Sequence, residues 1–231
     1  MPTGPETLGG HQHDHGPDGQ PPSDDLFSES FWDERYGSRP AIWSGNPNPQ
    51  FVSEAANLDP GHALDAGCGE GADAIWLAAR GWRVTAVDIS TVALGRGRAH
   101  AEEVGDDVAA RITWQQVDLR TWEPEAQTYD LVSAQFMQLP PRERASFFNR
   151  LAAGVAHGGT LLIVGHSPSD MQTTARRPQW PELFFTADEI ASVLDPTLWS
   201  IAVNVSRPRE AQDPDGGPVT VHDEVVATRR S

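Results

Sequence analysis

The sequence predicts an α/β protein built on a doubly wound, mostly parallel, seven-stranded sheet that closes with an antiparallel hairpin. Three observations carry this. Short apolar runs of strand length alternate with helix-period segments, the signature of a parallel sheet covered on both faces. One of those runs ends in an acid followed by glycines at every second position, a strand-to-helix turn. The chain finishes on two strand-like runs, 199–205 and 219–228, joined by a loop, Asp213 to Pro218, rich in Asp, Gly and Pro and with no helix between them.

The glycine-rich stretch, A-L-D-A-G-C-G-E-G-A over 63–72, organises the rest. His62 to Leu64 supplies the first strand, and the helix from Ala72 to Arg80 stops at Gly81. Gly67, Gly69 and Gly71 tolerate positive φ and let the backbone approach a bound molecule. Gly67, Gly69 and Ala72 also satisfy the dinucleotide pattern G-x-G-x-x-G/A. A pyrophosphate at the helix N-terminus, however, would be repelled by nearby carboxylates. Asp65 precedes the first glycine and Glu70 lies inside the turn, which suits a cationic, phosphate-free ligand.

The remaining elements follow in order. Residues 83–87 form the second strand, ending in Asp88-Ile89 about 20 residues beyond Gly67, the distance at which an acid meets ribose hydroxyls. Ser90 or Thr91 caps the helix 92–104. The third strand, 112–117, exits at Asp118-Leu119, and the fourth, 129–134, exits at Gln135. Residues 142–155 make an amphipathic helix whose stripe of Phe147, Phe148, Leu151 and Val155 belongs to the core. The fifth strand, 160–164, exits at Gly165-His166. Residues 171–184 read as a loop, and Thr186 to Glu189 as a capping box leading into 190–194. Ligands in such sheets bind at the carboxyl ends of the strands, so Asp65, Asp88, Asp118, Gln135 and His166 converge on one crevice.

These residues resemble a family. D65-A-G-C-G-E-G71 is similar to the D/E-x-G-x-G-x-G motif of class I S-adenosylmethionine-dependent methyltransferases, whose Rossmann-like sheet also closes with an antiparallel pair of strands. The resemblance runs from about Trp32 to the C-terminus. It implies S-adenosylmethionine as cofactor, held by Asp65, Gly67, Gly69 and Gly71, by Asp88 and Ile89 at the ribose, by Asp118 and Leu119 at the adenine, and by Gln135. The aromatic-rich segment 26–60, with Trp32, Tyr36 and Trp43, resembles the lid of small-molecule methyltransferases of the thiopurine and tellurite-resistance types; packing against the sheet edge is the alternative. The Asn/Asp-Pro-Pro-Tyr/Phe motif of enzymes acting on DNA bases or amide nitrogens is absent after the fourth strand.

Composition narrows the function. The chain of 231 residues accommodates one domain, 61–231, preceded by the 26–60 segment and a tail, 1–25, rich in Gly, Pro, Asp and His and expected to be disordered. His11, His13 and His15 in that tail could bind a metal loosely, but no metal site is expected in the domain. All 17 basic residues are arginines, a usage that fits a high-GC bacterial genome. The absence of lysine excludes a P-loop lysine, a Schiff base and a Tyr-x-x-x-Lys reductase pair. A net charge of −16 argues against nucleic acid as partner. The single cysteine, Cys68, excludes an intramolecular disulfide and serves as a small buried filler. No apolar run approaches a membrane span and no signal peptide is evident, so a cytoplasmic monomer or homodimer is expected.

The reaction expected is methyl transfer from S-adenosylmethionine to a heteroatom (S, Se or Te, or O or N) of a small molecule. His166, with an ordinary imidazole pKa near 6.5, is the candidate base at the end of a central strand; a loop histidine bonded to Ser167 or Asp170 is the alternative. Two other functions remain open on the sequence: an NAD-dependent oxidoreductase, and a non-catalytic domain that senses S-adenosylmethionine.

Overall fold

A computed structural model describes residues 24–40, 45–178 and 180–231. The His-rich tail through residue 23 and Trp43 lie outside the described residues. The described part of the expected tail, Asp24 and Asp25, begins a short 3-10 turn, Asp24–Phe27.

The N-terminal segment forms helices α1 (Glu29–Gly37) and α2 (Pro49–Ala55). The domain then runs β1 (His62–Ala66), α3 (Ala72–Ala78), β2 (Arg83–Asp88), α4 (Thr91–Val104), α5 (Asp106–Ala109), β3 (Ile112–Gln116) and β4 (Tyr129–Gln135). It continues with α6 (Pro141–Gly154), β5 (Val155–His166), α7 (Ala187–Ser192), β6 (Trp199–Gln212) and β7 (Pro218–Arg230). The strands make one seven-stranded sheet in the order β3-β2-β1-β4-β5-β7-β6, parallel except that β7 runs antiparallel to both β5 and β6. The expected fold class is the observed one.

Because β1, β2 and β3 step outward and β4 returns to the other side of β1, the chain reverses direction between β1 and β4. Crevices open at the carboxyl ends of strands at such a reversal. The register makes this crevice one-sided. Asp65 pairs with Ala86 and Ser133, Asp88 lies two residues beyond Ala86, and Gln135 pairs with Val164, two residues before His166. Side chains alternate across a strand, so Asp65, Asp88, Gln135 and His166 occupy the same face of the sheet.

Both faces are covered. One core packs β1, β4 and β5 against α6 and α7 through Phe147, Phe148, Leu151, Phe185 and Ile190; the other packs α2 and α3 through Phe51, Leu77 and Ala78. The α6 stripe read from the sequence is buried as expected, and the capping box at Thr186 and Glu189 forms with both of its bonds. Helix α2 begins at Pro49, capped by Asn48, which accepts from the backbone N–H groups of Gln50 and Phe51. Two strands run well beyond their expected bounds. β5 starts at Val155 because its first residue pairs with Tyr129 across a bulge. β6 extends to Gln212 because its distal half pairs with 218–224 of β7, a register that periodicity in β6 alone does not carry.

Phe148 is fully buried, with its ring 5.0 Å from Phe147 and 5.7 Å from Phe185. Phe148→Ala should therefore cost about 3–5 kcal/mol of stability, read as a lower midpoint in urea unfolding. A loss under about 1 kcal/mol would mean that α6 does not anchor this face of the sheet.

Candidate active site

The glycine turn is held open by backbone conformation and stitched to β2. Gly67, Gly69 and Gly71 have φ of 77°, 53° and 83°, a region that favours glycine. The backbone N–H groups of Gly67 and Cys68 both donate to the Val87 carbonyl, at 2.9 and 3.0 Å. Space is as limiting as torsion. A Cβ at Gly71 or at Gly97 of α4 would collide with the Trp114 ring, and one at Gly67 would strike the Met137 sulfur. The Cys68 thiol is pushed well up by burial and by neighbouring carboxylates, which keeps it unreactive, as a filler should be.

Asp88 is the second support of the turn. One carboxylate oxygen accepts from the Gly69 N–H at 2.9 Å, the other from the Ser90 N–H at 2.9 Å. Burial raises its pKa and these backbone bonds oppose the rise. Each oxygen keeps a second lone pair, so ribose hydroxyls remain compatible with the geometry. Ser90 caps α4 by accepting from the Ala93 N–H at 3.1 Å, which leaves Asp88 free of that task.

Three buried carboxylates crowd the turn. Asp65 Oδ2 finds no hydrogen-bond partner among the described residues, and its pKa lies well above the carboxylate range through burial and the charges of Asp73 and Asp88. Asp73, in the first turn of α3, is raised to about 6 by burial, although it accepts from the Asn48 N–H at 2.7 Å. Glu70 corrects the sequence reading. It pairs with Arg96 of α4 at 2.9 Å, so its charge is spent there, and Asp73 stands as the second acid of the crevice. The sequence signal for Asp73 is an acid in the first turn after the glycines.

At the edge of the crevice, Asp118 accepts from Arg120 Nε at 3.2 Å and Nη2 at 3.1 Å. Burial pushes its pKa up, and the Arg120 bonds and charge outweigh that and hold it low. Leu119 packs into the core, its carbonyl accepting from Arg150 at 3.0 Å. The Ile89 carbonyl accepts from the Gln116 amide at 3.3 Å.

On the other side, both polar atoms of the Gln135 amide are buried without a partner among the described residues. Phe136 follows at φ 55°, a costly conformation for an aromatic residue, and its ring stacks on His166 with centroids 4.3 Å apart. His166 bonds to neither Ser167 nor Asp170, whose carboxylate is taken by Arg177 at 2.8 Å and by the His222 N–H at 2.8 Å. Its Nδ1 is buried and unpartnered among the described residues. Burial lowers its pKa to about 3, with help from Arg177 and Arg209. The premise of an imidazole poised near 6.5 is therefore corrected. Gly165 is ordinary strand backbone rather than a turn; its missing side chain makes room for the Phe185 ring.

The N-terminal segment borders this crevice. Trp32 and Tyr36 lie on α1 with ring centroids 6.0 Å apart, Trp32 half-buried and Tyr36 buried. Asp33 of the same helix accepts from Ser90, Thr91 and Val92, and the Arg39 carbonyl accepts from Arg96 at 2.7 Å. Sequence reasoning missed Asp33 and Arg96, because their partners are distant in the chain.

The glycine turn lies at the sheet reversal, with the unpartnered oxygen of Asp65 beside it. Residues 63–159 match a family model described as a methyltransferase domain. Over that stretch the chain resembles methyltransferases. It is 25% identical over 147 residues to the 2-heptyl-1-hydroxyquinolin-4(1H)-one methyltransferase of Mycobacteroides abscessus, a match covering 61% of the chain and 63% of that protein. It is 28% identical over 142 residues to the probable thiol methyltransferase 2 of Arabidopsis thaliana, covering 59% and 62%. The matches thus span less than two thirds of the length of these curated relatives. Its fold is similar, with a TM-score of 0.68 and 24% identity, to a structure described as the conversion of a disulfide bond into a thioacetal group during echinomycin biosynthesis; 88% of this chain and 92% of that chain are covered. The resemblance to class I methyltransferases, with S-adenosylmethionine as the class of cofactor, is borne out. Among the described residues no helix is long and apolar enough to cross a membrane, and no group of three or more His, Cys, Asp or Glu is placed to hold a metal ion.

Asp73 makes the site pH-sensitive. Its folded pKa, about 6, exceeds the ordinary 3.8, so its contribution to stability is full below about pH 4 and is lost as pH rises through 6. Asp73→Asn should flatten the fall in melting temperature of the ligand-free protein between pH 4 and 7. Calorimetry across that range checks this, and an unaltered slope would remove Asp73 as its source.

Proposed function

We propose that the chain transfers a methyl group from S-adenosylmethionine to a heteroatom of a small molecule. The observation that carries this reading is the carboxylate group at the glycine turn. Burial and the charges of Asp73 and Asp88 raise the proton affinity of Asp65, while burial raises those of Asp73 and Asp88; a cationic ligand group relieves this where a pyrophosphate would worsen it. The unpartnered Asp65 oxygen fits an ammonium donor.

When bound, S-adenosylmethionine supplies an electrophilic methyl on a sulfonium. Asp65 and Asp73 hold its amino-acid end, with Gly67, Gly69 and Gly71 allowing close backbone approach. Asp88 and the Ile89 backbone take the ribose. Asp118, shared with Arg120, and Leu119 border the adenine. Gln135 faces the reacting end, where its unpaired amide contributes donors and an acceptor. Segment 26–60 forms the lid, with Trp32 and Tyr36 on α1, and Trp43 is assigned to it as well. The rest of catalysis is alignment and exclusion of water.

His166 is neutral throughout the physiological range, so its Nδ1 accepts a hydrogen bond from the acceptor and orients it. A base this weak does little for an acceptor that holds its proton tightly. The site accordingly suits acceptors that ionise readily, such as thiols and chalcogen oxyanions, ahead of alcohols and amines. The names of two curated relatives, one acting on a hydroxyquinolone and one a probable thiol methyltransferase, support a small heteroatom-bearing acceptor.

The reading is tested by S-adenosylhomocysteine formation across a panel of thiols, chalcogen oxyanions, phenols and amines, with calorimetry against S-adenosylmethionine and NAD. Binding of NAD alone would overturn it. Binding of S-adenosylmethionine without turnover of any acceptor would favour a sensing domain.

Two variants examine the roles. Asp88→Ala should weaken S-adenosylmethionine binding by about 1–3 kcal/mol, measured calorimetrically; parental affinity would take Asp88 out of the site. His166→Ala should preserve cofactor affinity while lowering turnover by about tenfold through lost orientation of the acceptor, with no added loss for an acceptor that must shed a proton. Because the imidazole pKa is about 3, the parental rate should show no step attributable to His166 between pH 5 and 8. A step near 6.5 that disappears in His166→Ala would show that the imidazole titrates as an ordinary base.

A further inference from the structure

The ties of α1 point to a function for Asp33. Its Oδ1 accepts from Ser90 Oγ at 2.6 Å and from the Val92 N–H at 3.2 Å, and its Oδ2 accepts from Thr91 Oγ1 at 2.9 Å. Three donors from one turn therefore converge on one carboxylate from a helix more than fifty residues earlier in the chain. They lie at the N-terminus of α4, where unpaired N–H groups and the helix dipole favour a negative charge. Burial works against its ionisation, but the bonds from Ser90, Val92 and Thr91 prevail and hold its pKa below the usual value.

The same turn carries the ribose acid. Ser90 donates its backbone N–H to Asp88 and its hydroxyl to Asp33, while Asp88 also accepts from Gly69. A continuous bonded path thus runs from the glycine turn through Asp88 and Ser90 to Asp33, and so to the helix that bears Trp32 and Tyr36. A second tie supports the far end of the segment, where Arg96 bridges Glu70 in the turn and the Arg39 carbonyl.

We propose that Asp33 is a positioning residue, a latch that holds α1 down on the N-terminus of α4 and thereby sets where Trp32, the preceding residue of the helix, stands relative to the Asp88–Ser90 turn. The inference rests on the S-adenosylmethionine reading of the crevice. Asp33 does not touch the reacting atoms; it acts through Trp32.

The test compares the parent with Asp33→Asn, Trp32→Ala and the double variant. Asparagine keeps the size of the side chain and one acceptor oxygen but removes the charge, so folding is preserved, which far-UV circular dichroism checks. In the ligand-free protein, amide hydrogen exchange in α1 should speed up by about tenfold, while exchange in α3 stays at the parental rate. S-adenosylmethionine affinity should fall by about tenfold in Asp33→Asn with turnover at saturation within about threefold of parent. In the Trp32→Ala background, Asp33→Asn should have no further effect on affinity, because the latch acts through that ring. Parental exchange in α1, or losses that simply add in the double variant, would overturn the proposal. If the parent itself fails to bind S-adenosylmethionine, the cofactor reading falls, and the exchange experiment still decides whether Asp33 latches the helix.

Discussion

The bond pattern between the glycine turn and the end of β2 is the constraint on which the site depends. Two backbone N–H groups share the Val87 carbonyl and a third is held by Asp88, so the loop after β1 is fixed to its neighbouring strand rather than floating above it. This needs left-handed backbone at Gly67, Gly69 and Gly71, and it needs the space that missing side chains leave for Trp114 and Met137. Once the turn is fixed, the helix dipole of α3, the acid of its first turn and the two strand-end acids are all set in place around one volume. A buried cluster of like charges is unfavourable in isolation, and it persists where the surrounding fold overdetermines it. In the proposed reading a cationic ligand group relieves that cost, which favours it over an anionic one.

Electrostatics also divide the crevice into two ends with different chemistry. Around β1 and β2, buried carboxylates have their proton affinities raised. Around β5, burial and two arginines drive the imidazole of His166 the other way, and those arginines are themselves paired with Asp170 and Asp223. The first end prefers positive charge. The second presents a neutral acceptor of hydrogen bonds walled by Phe136 and Phe184. A methyl-transfer site requires such a division, because the sulfonium end and the nucleophile end approach one another along a line and must be held by different groups.

Local sequence patterns made much of the fold legible. The alternation of apolar strands with helix-period segments, the glycine spacing, the α6 stripe and the capping box at Thr186 each depend on residues within one or two turns of each other. The same holds for cofactor class, since Asp65, the glycines and Asp88 sit at separations dictated by one strand–helix–strand unit. Strand-exit positions for Gln135 and His166 were readable for this reason too.

What the sequence by itself determined, then, was the doubly wound sheet, the turn and the set of residues delivered to its carboxyl edge, because these follow from short-range periodicity and from the torsional freedom of glycine. Only the tertiary structure decided the state of those residues. Glu70 was diverted to Arg96, Asp73 took its place, and the imidazole of His166 was stripped of water and stacked on Phe136. Asp33 found its donors on α4, across more than fifty residues of chain. Partner choice and desolvation depend on which distant surfaces meet, and a linear pattern carries no record of that.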